Sequence, residues 1–92
     1  MKPKDRILEE ATLSVGEGLA LHYYLCHPTG GVPYLAVVAE DENGRRYERS
    51  GGWPAGGEEA LAFFRLAVSA AVTPYTLIEI YDDFILRVTE KA

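Results

Sequence analysis

The run Tyr34-Leu35-Ala36-Val37-Val38-Ala39-Glu40-Asp41-Glu42-Asn43-Gly44-Arg45-Arg46-Tyr47-Glu48-Arg49-Ser50 reads as a β-hairpin. Its opening, Tyr34 to Ala39, is apolar at every position, so both faces of an extended chain are apolar and a central strand is expected. Asn43-Gly44 supplies two residues that tolerate the positive φ of a type I′ turn, with extended runs on either side. The returning run, Arg45 to Ser50, is mostly charged, which predicts an edge strand whose arginines discourage pairing with other chains.

Upstream of the hairpin the period of two persists. Leu19, Leu21, Tyr23 and Leu25 share one face of an extended run, and Ala20, His22, Tyr24 and Cys26 share the other. His27-Pro28-Thr29-Gly30-Gly31 breaks that strand, and Gly16-Glu17-Gly18 supplies the turn before it. Glu10 to Val15 alternates in the same way and predicts a first strand.

Downstream, Ser50 to Gly57 reads as a loop and the pattern turns helical. Glu58 and Glu59 place carboxylates at the positive end of a helix that runs to about Val72. Leu61, Phe64, Val68 and Val72 form its expected core stripe. Phe63, Ala67 and Ala70 then remain as surplus apolar surface, and only Arg65 and Ser69 clearly face water. Pro74 is expected to stop this helix, and Thr76 with Glu79 matches the capping box of a second one running to about Glu90. Its expected core positions are Leu77, Ile80, Tyr81, Phe84 and Val88. Strands followed by helices define an α+β fold: an antiparallel β-meander of three to four strands followed by two C-terminal helices packed on one face. The chain is expected to be a single domain over residues 1–92, with strands at about 10–50 and helices at about 58–72 and 76–90.

Val72-Thr73-Pro74-Tyr75-Thr76-Leu77, followed by Asp82-Asp83-Phe84, resembles a family of short uncharacterised bacterial proteins, a domain of unknown function that ends in a similar Val-Thr-Pro and Asp-Phe helix. The resemblance covers about the last twenty residues, and what it implies is structural. Pro74 would set the bend between the helices, Thr76 would cap, and Leu77 and Phe84 would fill the core.

A net charge of −5 opposes the concentrated basic surface needed to displace counterions from phosphates, so no nucleic-acid partner is expected. The single cysteine, Cys26, forms no internal disulfide and fits a reducing compartment. Ile7-Leu8 is followed at once by Glu9-Glu10, and no apolar run approaches the ~20 residues that span a bilayer. A cytoplasmic protein with no membrane partner is expected.

His22, Cys26 and His27 are the residue types a metal or a nucleophilic reaction would use. Residues four apart on a strand are separated by roughly 13 Å, so His22 and Cys26 do not share a ligand unaided. Asp82 and Asp83 diverge by about a hundred degrees on a helix, and Asp83 with Arg87 has the spacing of a surface ion pair. The Gly-Gly pairs at 30–31, 51–52 and 56–57 match no phosphate-binding spacing. No catalytic residue, cofactor or metal site is assigned.

Tyr and Trp side chains favour places where one end is apolar and the other wet, so Trp53 and Tyr24 join Phe63 and Ala67 as the candidate interaction surface. The expected function is a non-enzymatic protein-interaction or regulatory module whose partner is protein, with a homodimer as the leading form. The alternative is a small-molecule-binding or catalytic domain with a pocket between sheet and helices, using His22 or Tyr24.

Overall fold

The computed structural model describes residues 3–52 and 57–90, with side chains through residue 87. The backbone forms four strands and then two helices: β1 (Arg6–Ser14), β2 (Ala20–His27), β3 (Tyr34–Asp41), β4 (Gly44–Arg49), α1 (Gly57–Ser69) and α2 (Leu77–Glu90). The strands make one antiparallel sheet in the order β1-β2-β3-β4, so β3 is central and β4 is an edge, as their composition requires. Both helices lie on one face. Leu21, Tyr23, Leu25, Leu35 and Val37 from the sheet meet Ala60, Phe63, Phe64, Ala67, Val72 and Leu77 there in one core.

Three local readings change. β1 begins at Arg6 rather than near residue 10, because a bulge between Ile7 and Glu9 interrupts the alternation. Leu8 falls in the bulge, exposed, and the period of two is out of phase before it. The β3–β4 hairpin forms where expected, but Asp41 pairs with Gly44, which leaves Glu42 and Asn43 as the loop residues. Neither has positive φ; Gly44 adopts φ 135°, and the Asn43 N–H donates to Asp41 Oδ1 at 2.8 Å. The turn is therefore an Asx-stabilised one and not type I′.

The third change is at the junction of the helices. α1 ends at Ser69, and Ala71 takes φ 51°, the left-handed conformation that usually falls to glycine. Val72 N–H donates to Ala67 O at 3.0 Å and Ala71 N–H to Val68 O at 3.2 Å, the two bonds of a Schellman C-cap. Pro74 thus does not end the first helix; it lies in the turn between the two, five residues past Ser69 and three before Leu77. Leu77 N–H donates to Thr73 O at 3.0 Å, and Thr73 N–H reaches Thr76 Oγ1 at 3.4 Å. Thr76 immediately precedes α2, and its carbonyl accepts the Ile80 N–H at 3.1 Å, while its hydroxyl turns back to Thr73 O at 3.4 Å and so ties the helix start to the preceding turn.

Candidate functional site

The sheet face away from the helices carries the residues that chemistry would use. Tyr24, Cys26, Tyr34, Ala36 and Val38 are buried there, with Ile7 packed against them, although no helix covers them. Long side chains shelter short ones. The Arg49 guanidinium lies 4.4 Å above the Tyr34 ring, and Tyr34 donates its hydroxyl proton to Asp5 Oδ2 at 2.6 Å. Burial, together with that bond to Asp5, pushes the Tyr34 phenol well above its ordinary range. Burial also raises Tyr24 and the Cys26 thiol, whose Sγ lies 3.6 Å from Tyr24 O. A thiol held protonated is a poor nucleophile, and phenols held protonated are poor bases near neutral pH.

His22 also sits on this face, its Nδ1 3.2 Å from Thr12 Oγ1 and its Nε2 4.0 Å from Glu40 Oε1, while Glu40 pairs with Arg45. His22 and Tyr24 are therefore on the wrong side of the sheet to line a pocket between sheet and helices, which corrects the alternative reading of the sequence. Among the described residues no group of three or more His, Cys, Asp or Glu side chains is placed to hold a metal ion. No helix among them is long and apolar enough to cross a membrane.

The surface expected from the sequence is redistributed. Phe63 and Ala67 are fully buried, and Phe63 meets Phe84 with ring centroids 5.2 Å apart and Tyr81 at 6.1 Å. Tyr24 is buried on the open sheet face, and Trp53 lies outside the described residues. The α1 core stripe is Ala60, Phe63, Phe64 and Ala67, with Leu61 and Val68 half-buried at its flank. That set follows the i, i+3, i+4, i+7 spacing, a signal present in the sequence. Turning the stripe to these positions brings Leu66 out to 44% exposure, beside exposed Ala70.

On α2 only Leu77 is fully buried among the residues with described side chains; Tyr81, Phe84 and Ile85 are half-buried, and Ile78, Ile80 and Leu86 are exposed. Leu66, Ala70, Val72, Ile80 and Phe84 line a groove of about 150 Å³ between the helices. Asp83 and Arg87 rim it, paired at 3.2 Å.

A second, larger recess of about 370 Å³ opens between the β3–β4 hairpin and the segment joining the helices. Its lining includes Leu19, Leu21 and Ala39 from the sheet, Arg46 from β4, and Thr73 and Tyr75.

Comparison with protein-family models, with curated proteins and with solved structures gives no match for this chain.

Proposed function

We propose that the protein is a non-enzymatic interaction module that works as a homodimer, docking through the outer surface of its helix pair. The observation that carries this reading is the groove walled by Leu66 and Ile80, floored by Val72 and Phe84 and rimmed by Asp83 and Arg87. Apolar side chains left in water beside one another are the usual mark of a docking surface. A second copy is the occupant that the rim fits. A twofold axis passing between positions 83 and 87 of two antiparallel α2 helices sets Asp83 of each chain beside Arg87 of the partner subunit, so the patch is complementary to itself. The protonated thiol and phenols of the open sheet face favour a structural over a catalytic role there.

Charge exchange tests the arrangement. Asp83→Arg and Arg87→Asp each lose a surface pair worth roughly 0.3–0.5 kcal/mol, too little to unfold the chain, but each sets like charges across the axis. Each variant alone is expected to be monomeric by light scattering where the natural chain is dimeric, and an equimolar mixture is expected to regain the dimer mass. Equal masses for the natural chain, both variants and the mixture would show that this rim takes no part in association.

A further inference from the structure

We infer that the recess between the β3–β4 hairpin and the helix junction binds a small amphipathic anion, an aryl or branched-chain carboxylate, with Arg46 as the anion-binding group. The lining divides by chemistry. Leu21 is buried and Leu19 and Ala39 are half-buried, and together they give the recess an apolar wall. The Tyr75 ring, 70% exposed, is the most exposed large apolar side chain among the described residues. It stands at the mouth with the Arg46 guanidinium 4.6 Å from its centroid.

The cations at this recess are not equivalent. Arg45 is neutralised by Glu40, and Asp41 accepts the Asn43 N–H in the hairpin turn. Among the described residues Arg46 has no carboxylate within ion-pair distance, and its contact is the Tyr75 face. A guanidinium stacked on a ring keeps its N–H edges available, and its fork matches the two oxygens of a carboxylate. Thr73 closes the same lining, its hydroxyl engaged with Thr76 Oγ1 at 3.3 Å, which leaves Arg46 as the anion-binding group. A volume near 370 Å³ lies within the usual range for small-molecule sites and holds a single-ring ligand. The recess, the stacked and otherwise unpaired guanidinium and the apolar wall thus select a ligand with one negative charge and a compact apolar body. This gives the Thr73-Pro74-Tyr75 segment a role beyond joining two helices. Arg46 and Ala39 are paired across β3 and β4 on the helix side of the sheet, so the site is separate from the Tyr34 and Cys26 cluster on the opposite face.

The test is titration of the isotopically labelled natural chain with benzoate, acetate and benzyl alcohol, followed by amide chemical shifts. Benzoate is expected to give saturable shifts at Leu21, Arg46, Thr73 and Tyr75. Acetate lacks the apolar body and benzyl alcohol lacks the charge, so each is expected to bind at least about tenfold more weakly. Arg46→Gln and Tyr75→Ala, both at the protein surface, are expected to weaken benzoate by about tenfold or more, whereas Arg65→Gln, exposed on α1, is expected to leave it unchanged. Absence of saturable shifts, equal binding of benzyl alcohol, or full affinity in Arg46→Gln would each overturn the assignment.

Discussion

Tyr23 ties the sheet to the helix junction through one polar atom. Its ring is fully buried, and its hydroxyl donates to Val72 O at 2.8 Å, the carbonyl one residue beyond the left-handed Ala71. Tyr23→Phe keeps the packing and orphans that carbonyl, so a loss of roughly 1–3 kcal/mol in urea unfolding is expected. Burial pushes the Tyr23 phenol up to about 12 from an ordinary 10.0. The folded chain then holds this proton more tightly than the unfolded chain, and ionisation favours unfolding. The contribution is complete below about pH 10 and is lost as pH rises toward 12. Unfolding free energies measured across that window should fall for the natural chain and fall less steeply for Tyr23→Phe. Ala71 makes the converse case. An L-residue in the left-handed region costs roughly 1–2 kcal/mol, and the half-buried methyl repays part of that. Ala71→Gly is expected to raise the urea midpoint by relieving the strain, and a lowered midpoint would mean that the methyl contact dominates.

At the scale of elements, the two phenylalanines that meet between the helices should separate in mutant stability. Phe63→Ala empties a fully buried site and is expected to cost roughly 3–5 kcal/mol. Phe84 is only half-buried, so its truncation should cost clearly less, and the opposite ranking would mean that α2 is turned about its axis. The strands were legible because period two carries its own phase: Leu21, Tyr23 and Leu25 on one face and Tyr24 and Cys26 on the other follow directly from alternation. The phase of α1 was not. Apolar residues surround most of that helix, so composition alone does not say which of two overlapping stripes meets the sheet. The choice of Leu61, Phe64 and Val68 displaced Phe63 and Ala67 outward and hid Leu66. Two of the candidate surface residues, Phe63 and Ala67, therefore lie in the core instead, both fully buried. Pro74 was misread for a different reason: α1 is ended upstream of it by the left-handed Ala71 cap, which an alanine does not announce in the sequence, and Pro74 falls in the turn before α2.

The molecule as a whole is thin, measuring 43 × 27 × 16 Å, with a radius of gyration of 13.0 Å where about 12 Å would suit a compact chain of this length. Two layers account for that shape. The sheet supplies a core on its helix face and a second cluster on its open face, whereas α2 contributes one fully buried side chain among those described, Leu77, with Tyr81, Phe84 and Ile85 half-buried. Amide exchange should therefore be slowest in β2 and β3 and faster along α2 in the isolated chain. A helix so lightly covered leaves Ile80 in water beside Leu66, which is the surface that association would bury. Sedimentation equilibrium of the natural chain at micromolar concentration distinguishes the outcomes: a mass of twice 10.1 kDa is expected, and a constant 10.1 kDa across that range would contradict the dimer.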